Sequence, residues 1–350
     1  MRTDGGTLTD GTRVEAVTLS NGNGVSARIL SYGATLQSLV VPDRHGKPED
    51  IVLGHDRAQD YEATQDFFGV TVGRYANRIA DGRFTIDGQT FQLPLNNGKN
   101  SLHGGGKGFD RAVWRIIAAK NGSVVLEHVS PDGDSGYPGE VTARVTYSMD
   151  KRGALTIAFD ATTTKPTVLN MTNHALFNLS GACSALGAMN VRMTIPASRF
   201  TPVNETLIPT GELRAVAGGP FDFSTGRNLG RALRSGNDPQ IRIGRGYDHN
   251  FVLDKGQTRQ PELAARVEDP ASGRVLEILT TEPGVQLYTG NFLDGTNLGK
   301  NGCVYRMGDG FALEPQKFPD TPNQPQFGSA RVDPGKPYHH VMIIRTSITK

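Results

Sequence analysis

One polar segment of the chain carries a histidine in a setting suited to proton transfer. His174 lies within residues 170–178, where three asparagines flank it inside an otherwise apolar stretch. Amide groups could orient the imidazole by hydrogen bonds, as a general acid or base requires. The alternative is a buried structural histidine, and no HExxH-type spacing supports a metal ligand in its place.

A second segment carries a candidate carboxylate. Glu314 follows the apolar triplet Phe311-Ala312-Leu313, so its side chain is expected to be partly desolvated. Loss of water raises the pKa of a carboxyl group above its free value of about 4.3, towards that of a working base. A solvated loop glutamate is the alternative reading, and Glu282 is a competing candidate for the same role.

Polar groups and glycines are also concentrated in three further segments. Residues 73–79 contain two arginines and an asparagine, and residues 100–106 place a histidine before three glycines. Glycines allow a ligand to approach the backbone closely, so these segments could bind a polar molecule. Solvated arginines and a flexible turn are the alternative, and no strand-GxxxxGK[ST]-helix setting supports a phosphate loop. The third segment, residues 246–251, contains Asp248.

The elements that must position these residues are predominantly strands. Apolar residues alternate with polar ones at residues 25–29, 83–95, 141–147, 155–159 and 275–281, which is typical of half-buried strands. Asp87-Gly88 predicts a type I′ turn within a hairpin. Residues 338–348 are apolar on both faces, which predicts a central strand. Helical periodicity is scarce, and residues 228–234 are its best case. We therefore predict an all-β fold, a large antiparallel β-sandwich with few short helices, formed as one domain over residues 1–350.

Composition narrows the class of function. The 350 residues include 43 glycines and 20 prolines, which favours many strands and turns over long helices. The formal charge is +2 with dispersed basic residues, so we expect no nucleic-acid partner. No apolar run approaches the roughly 20 residues of a membrane span.

No secretory signal is visible, which predicts the cytoplasm, or the periplasm if a leader was removed. Cys183 and Cys303 could be two thiols or one bridge.

Taken together, these segments resemble the aldose 1-epimerase, or galactose mutarotase, family. Any one block would be a weak signal, but the blocks follow the family's order over residues 30–330. They comprise residues 32–34, 41–43, 50–54, 73–79, 100–105, 108–110 ahead of Trp114, 173–174, 246–250, 284–292 and 313–325. The resemblance implies an antiparallel β-sandwich of the galactose mutarotase type. It also implies a free monosaccharide as substrate, bound in an open cleft without a metal or cofactor.

The resemblance also implies roles for individual residues. Glu314 would take the proton from the C1 hydroxyl of the sugar, and His174 would protonate the ring oxygen. Arg78 and His103 would bind sugar hydroxyls or the region of the ring oxygen, and Asp248 would accept hydrogen bonds from other hydroxyls. Asn77 and Gln286 are weaker candidates for the same cleft. The same matching makes Arg74 structural, and an extended backbone would turn His249 away from Asp248.

Departures from the family pattern bear on specificity. Met171 and Leu176 stand where the family often has a proline and an aromatic residue, and Lys317 replaces a frequent histidine. We expect Leu176 and Lys317 to reshape the cleft, which leaves the preferred sugar open. Aromatic candidates for a platform under the sugar are Trp114, Phe177, Tyr247 and Phe292.

Three other functions compete with epimerisation. A glycoside hydrolase would need two carboxylates, which Glu314 with Asp248 or Glu282 could supply. A non-catalytic sugar-binding module could dispense with both Glu314 and His174. A sugar-phosphate epimerase would require a basic cluster that two lysines do not provide. We predict a monomer or a homodimer.

Overall fold

The computed structural model describes residues 2–120 and 122–349, and strands dominate it. Over these residues the strands are β1 (Arg2–Thr7), β2 (Arg13–Ser20), β3 (Ser26–Leu30), β4 (Thr35–Pro42), β5 (Pro48–Asp50), β6 (Thr71–Val72), β7 (Arg78–Ile79), β8 (Arg83–Ile86), β9 (Gln89–Gln92), β10 (Ser101–Leu102), β11 (Arg115–Lys120), β12 (Ser123–Ser130), β13 (Val141–Met149), β14 (Leu155–Thr163), β15 (Thr167–Val168), β16 (Thr172–Asn173), β17 (Leu176–Phe177), β18 (Arg192–Thr194), β19 (Arg199–Phe200), β20 (Arg214–Ala215), β21 (Arg227–Asn228), β22 (Asp248–Val252), β23 (Glu262–Glu268), β24 (Arg274–Thr280), β25 (Gly284–Tyr288), β26 (Asp294–Leu298), β27 (Val304–Arg306), β28 (Phe311–Gln316), β29 (Arg331–Val332) and β30 (Tyr338–Ile348).

Helices are few and short in the same residues. The α-helices are α1 (Ala58–Ala63), α2 (Leu229–Leu233) and α3 (Pro239–Ile243). Single 3₁₀ turns occupy Ala80–Gly82, Phe109–Arg111, Asp134–Gly136, Lys300–Gly302, Thr321–Asn323 and Pro325–Phe327. None of the helices within residues 2–120 and 122–349 has the length and apolar composition that a transmembrane helix requires.

The largest sheet has nine antiparallel strands in the order β11-β12-β13-β14-β30-β24-β23-β18-β21. β30 lies at its centre, paired with β14 on one side and β24 on the other, so its predicted central position is confirmed. The inward residues of β14 and β30 alternate with half-exposed ones, so one face of the sheet is buried and the other meets solvent.

A six-stranded antiparallel sheet in the order β17-β28-β25-β22-β19-β20 packs against the first. Phe251, Val285 and Leu313 on its inner face share one apolar cluster with Ile157 and Met342 of the nine-stranded sheet. A five-stranded sheet, β1 to β5, contributes to the same cluster through β2, β3 and β4. The predicted antiparallel β-sandwich is therefore confirmed.

The other face of the six-stranded sheet is polar where β22, β25 and β28 lie side by side. Asp248 lies opposite Tyr288, and Gln286 lies opposite Glu314 in the next pair of strands. Because successive side chains of a strand point to opposite faces, the apolar neighbours of these residues enter the core while the polar ones stay on the outer face. Strand register thus collects three predicted site residues on one surface.

Two short strand pairs bring the remaining site residues to that surface. β16 pairs with β6, which fixes the chain immediately before His174. β7 pairs with β10, so that Arg78 lies opposite Leu102, next to His103.

Several local predictions can be compared with the structure. The hairpin of β8 and β9 turns at Asp87 and Gly88, whose φ angles of 52° and 80° fit a type I′ turn. The prediction that its second strand extends to residue 95 is wrong, because β9 ends at Gln92 before Pro94, which has no N–H to donate. Helix α2 lies within the predicted helical segment, whereas α1 and α3 were not predicted.

Candidate active site

A cavity of about 240 Å³ opens over the polar face of the six-stranded sheet. Six of the seven predicted site residues line it: Asn77, Arg78, His103, His174, Asp248 and Glu314. The seventh, Gln286, lies behind Asp248 and donates a hydrogen bond of 2.7 Å to its Oδ1. The residues singled out between Asn77 and Glu314 of the sequence therefore converge on one site.

Glu314 is buried at the floor of this cavity on β28, with 2% of its surface exposed. Its Oε2 has no hydrogen-bond partner among the described residues, and Oε1 faces Nε2 of His174 at 3.8 Å. Burial raises the pKa of Glu314 well above its ordinary value, Asp248 raises it further, and Arg78 lowers it. A buried carboxylate without a donor is costly to a fold, which indicates a group kept for binding or chemistry.

His174 faces Glu314 from the chain after β16. Its backbone N–H donates to Val70 O, and its carbonyl accepts from Gly69, which fixes the residue on both sides. The ring lies between the rings of Phe67 and Tyr288, at centroid distances of 5.7 and 6.4 Å. Burial lowers the pKa of His174 to about 4. His174 is buried, as the structural alternative would have it, but its Nε2 faces a carboxylate in a cavity.

His103 is held in one tautomer by its neighbour. The backbone N–H of Asn77 donates to Nδ1 of His103 at 3.1 Å, so the neutral ring carries its hydrogen on Nε2. Burial, with the nearby His174 and Arg78, lowers the pKa of His103 well below its ordinary value. The ring therefore remains neutral near pH 7 and offers an N–H donor to the site.

Arg78 and Asp248 form a buried ion pair at one end of the cavity, with Nη1 and Oδ2 3.3 Å apart. Nε of Arg78 donates to Oδ1 of Asn97 at 2.9 Å, and Oδ1 of Asp248 accepts from Gln286. Each charged group is thus fixed by a neutral amide. Nη2 of Arg78 makes no hydrogen bond to the described residues, so it is available to a ligand.

His103, His174 and Glu314 also have the composition of a metal site, since each offers one ligand atom within 4.8 Å of the others. The tautomer of His103 fits a metal poorly. Its Nδ1 already accepts the Asn77 N–H, and its Nε2 carries a hydrogen, so neither nitrogen presents a lone pair to an ion. The residues are better suited to hydrogen-bonding a polar organic ligand.

Two predicted exclusions, Arg74 and His249, agree with the geometry, and the competing candidate Glu282 lies outside the cavity. Arg74 is buried away from the cavity and donates to backbone oxygens of residues 130–139 and to Ser130 Oγ. His249 packs on the opposite face of β22, against Phe221. Glu282, the competing carboxylate, does not line the cavity and pairs with Lys317 at 3.4 Å.

The expectation that Leu176 and Lys317 reshape the cleft is wrong. Leu176 is fully buried in a second apolar cluster, and the ammonium group of Lys317 turns to Glu282. Neither residue lines the cavity. The orientation of Leu176 follows from strand alternation, and that of Lys317 from its ion pair. A comparison of motif positions shows neither.

Among the aromatic candidates, Phe292 alone lines the cavity, and half of its surface is exposed. Trp114, Phe177 and Tyr247 are core residues with at most 1% exposed. The wall also contains Phe67 and Tyr288, which sequence reasoning missed. Tyr288 could have been found, because it lies two residues after Gln286 on a strand and so shares its face.

The backbone around the site adopts uncommon conformations. Phe67, Asn77 and His103 have φ angles of 56°, 68° and 53°, in the left-handed region that residues other than glycine rarely adopt. Gly104, at φ +92°, approaches the carbonyl of Gly73 so closely that a Cβ would lie 2.0 Å from its oxygen. Such conformations cluster at functional sites, and here they join the two glycine-containing segments.

Comparison with known proteins agrees with this geometry. A profile of the aldose 1-epimerase family matches residues 15–345. The chain is 46% identical to the galactose mutarotase of Rattus norvegicus over 320 residues, covering 91% of this chain and 90% of that protein. It is 37% identical to the aldose 1-epimerase of Escherichia coli K12 over 319 residues, with the same coverage.

A solved structure extends the similarity to the fold. The aldose epimerase homologue of C. elegans superimposes with a TM-score of 0.87 at 31% identity, covering 96% of this chain and 99% of that one. Fold, cavity and sequence blocks thus agree over nearly the whole chain. The chain belongs to the aldose 1-epimerase family.

Proposed function

We propose that this aldose 1-epimerase interconverts the α and β anomers of a free aldose with Glu314 as base and His174 as acid. The observation that carries this assignment is the pair itself. A buried carboxylate and a buried imidazole face each other at 3.8 Å across a cavity, without a hydrogen bond from the described residues to Glu314 Oε2. The anomeric hydroxyl and the ring oxygen share one carbon, so two facing groups can reach both.

The reaction moves two protons and needs no covalent intermediate with the protein. Glu314 removes the proton of the C1 hydroxyl while His174 gives a proton to the ring oxygen, and the bond from C1 to the ring oxygen breaks. The open aldehyde turns about the bond between C1 and C2, and the reverse transfers close the ring to either anomer. Each turnover restores both groups.

Burial supports the ring-opening step in particular. Before opening, the pair is an ionised Glu314 and a protonated His174; afterwards both are neutral. The same burial raises the pKa of Glu314 and lowers that of His174, so the neutral pair is favoured in this site. Binding of the sugar, with Arg78 beside the carboxylate, must offset that preference when the ring is closed.

The charge of the cavity favours a neutral sugar over a sugar phosphate. Of the described residues that line it, Arg78 is the one permanent cation, and Asp248 already pairs with it. Asp66 and Glu314 are further carboxyl groups on the wall. A dianionic phosphate would meet more negative than positive groups here.

The arrangement also disfavours glycoside hydrolysis. That reaction needs two carboxyl groups on either side of the bond that breaks. Glu282 lies outside the cavity, and both oxygens of Asp248 are engaged by Arg78 and Gln286. The group that faces Glu314 is a histidine, which suits proton transfer to a ring oxygen.

Polarimetry on freshly dissolved α-D-galactose and α-D-glucose tests the assignment. We expect Glu314→Gln and His174→Ala each to lose about 10²–10⁴-fold in kcat/KM, the usual contribution of a positioned acid or base. Glu282→Gln is the matched control, because it neutralises another buried glutamate outside the cavity and should leave the enzymatic rate unchanged. Near-complete activity of Glu314→Gln in a folded protein would refute the assignment, and release of reducing sugar from oligosaccharides would favour hydrolysis.

The compartment and the assembly are separate proposals. Cys183 and Cys303 form a disulfide across 120 positions of sequence, which answers the question of their pairing. Stable disulfides are typical of oxidising compartments, so the bridge favours the periplasmic alternative over the predicted cytoplasm. Cell fractionation, alkylation of free thiols and mass spectrometry measure the compartment of the protein and the redox state of its two cysteines. Free thiols in a cytoplasmic fraction would contradict the periplasmic proposal.

The assembly as a monomer or a homodimer stays a prediction, and light scattering measures it.

A further inference from the structure

The hydroxyl group of Tyr288 accepts a hydrogen bond within the protein but donates none to the described residues. Its Oη accepts a hydrogen bond of 3.0 Å from the backbone N–H of Phe292. Its own hydrogen has no acceptor among the described residues. The side chain lines the cavity on β25, directly opposite Asp248 on β22. A phenolic hydroxyl both donates and accepts, so a donor remains available at the wall of the site.

Tyr75 shows the contrast. Its Oη likewise accepts from a backbone N–H, that of Thr321 at 3.1 Å, but it also donates to Phe318 O at 3.0 Å. Tyr305 is similar, since its Oη accepts from Lys300 N and donates to Gly54 O. These hydroxyls have internal partners for both functions, and neither residue lines the main cavity.

The ring of Tyr288 is held in place before any ligand arrives. It stacks on Phe292 with ring centroids 6.2 Å apart and planes 14° apart, and the guanidinium group of Arg245 lies over the Phe292 ring at 5.6 Å from its centroid. Burial and the neighbouring carboxyl groups of Asp248 and Asp66 raise the pKa of Tyr288 above its ordinary value. The phenol therefore keeps its proton at every pH at which the enzyme would work.

We propose that Tyr288 donates a hydrogen bond to one hydroxyl of the bound sugar and is a specificity-determining residue. This inference rests on the proposed function and deepens it. Asp248 and Glu314 can only accept when ionised, so the sugar hydroxyls that face them must donate. Tyr288 supplies the opposite partner on the same sheet face, to a hydroxyl whose oxygen is free to accept. This hydrogen bond would therefore distinguish sugars by the position of one hydroxyl group.

Tyr288→Phe removes the hydroxyl and keeps the stacked ring. For whichever of D-galactose and D-glucose the wild type converts faster, we expect KM to rise about two- to twelvefold, the worth of one neutral hydrogen bond, with kcat nearly unchanged. Tyr75→Phe is the matched control: it loses a tyrosine hydroxyl bonded inside the protein, so it should lower thermal stability and leave KM unchanged.

The 2-, 3-, 4- and 6-deoxy forms of the same sugar identify the partner. We expect the ratio of wild-type to Tyr288→Phe kcat/KM to fall to one for a single deoxy sugar, the one that lacks the bound hydroxyl, and to persist for the others. An unchanged KM for the parent sugar, or an equal loss on all four deoxy sugars, would overturn the inference while wild-type and Glu314→Gln rates still support epimerisation. A wild type that does not accelerate mutarotation would overturn the proposed function itself.

Discussion

Arg74 and Arg78 lie four residues apart, are both buried, and are expected to respond differently to the same substitution. Arg74 is 2% exposed and donates to four carbonyl oxygens and one hydroxyl oxygen of residues 130–139. Arg78 is 5% exposed and donates to Asn97 and Asp248 at the wall of the cavity. Replacing each with methionine keeps the length of the stem and removes the guanidinium group.

Arg74→Met is expected to reduce stability. The substitution leaves several buried acceptors without a donor, and loss of such a network costs about 3–5 kcal/mol. With an unfolding entropy of about 2.1 cal/mol/K per residue over a chain of this length, that corresponds to a fall in Tm of about 4–7 °C. Burial lowers the pKa of Arg74 to about 10, which still leaves it charged at neutral pH. Because no part of this network faces the cavity, kcat/KM should stay near the wild-type value.

Arg78→Met is expected to reduce activity, and it also lowers stability because Asp248 stays buried without its cation. At 3.3 Å the Coulomb attraction to Asp248 is about 5 kcal/mol for an effective dielectric constant of 20, but desolvation offsets most of it. Asp248 also keeps the 2.7 Å hydrogen bond from Gln286. The loss that remains is a charge-assisted hydrogen bond to the sugar, worth about 1.5–3 kcal/mol, or about ten- to two-hundred-fold in kcat/KM. Removing this cation should also raise the pKa of Glu314 further.

Polarimetry and thermal unfolding, run on both variants and the wild type, separate the two effects. Arg74→Met should lower Tm and keep kcat/KM, whereas Arg78→Met should lower kcat/KM even at temperatures where it is folded. Arg78→Lys should recover part of the activity because it restores a cation, although without the planar fork. The reasoning fails if Arg78→Met retains wild-type kcat/KM. It fails equally if Arg74→Met loses as much activity as Arg78→Met at a temperature where both are folded.

Two further predictions concern the proton pair and its supports. The kcat/KM of the wild type should be highest while the pair of Glu314 and His174 holds one proton in total. It should fall below pH about 4, where His174 also becomes protonated, and fall at high pH, where Glu314 loses its proton. Burial thus reverses the order of the free values of about 4.3 and 6.5, so the low-pH limb belongs to His174 and the high-pH limb to Glu314. An NMR titration in which the His174 imidazole follows the high-pH limb would contradict the effect of burial. Asn97→Leu should raise KM about two- to tenfold by releasing Nε of Arg78, and Asn97→Asp should restore it; equal KM values for both variants would exclude a positioning role.

The parts of the fold that could be predicted from sequence are those with a buried and an exposed face. β13 and β14 follow a period of two because one face enters the sandwich core. Helices α1, α2 and α3 have six, five and five residues, too few for a clear period of 3.6, and of the three only the segment of α2 was predicted. The end of β9 depends on Pro94, and weighing that residue would have shortened the predicted strand.

The site was predictable to a different degree. Ordered blocks of residues identified groups that the structure brings together, including Arg78 and Asp248, which are 170 positions apart. The same blocks gave no account of Lys317, because its orientation depends on the buried carboxylate of Glu282. The residue type of Tyr288 and its position on the strand could be read from the sequence. That its hydroxyl accepts from the backbone N–H of Phe292, and so keeps its own hydrogen for a ligand, could not. Contacts of that kind exist only in three dimensions.

The placement of the site on the outer face of the six-stranded sheet explains how one sandwich can be stable and reactive. β28 sends Leu313 into the core and Glu314 into the cavity, so the apolar contact that holds the strand also fixes the carboxylate. The strand cannot slip by one residue without burying the charge in the core, because alternate side chains exchange faces. Burial of Glu314 by the surrounding loops then raises its pKa, and burial of His174 lowers that of its partner. The packing that stabilises the sheet thus favours the neutral pair that ring opening produces, and the contacts to the bound sugar favour the ionised pair that ring closure restores.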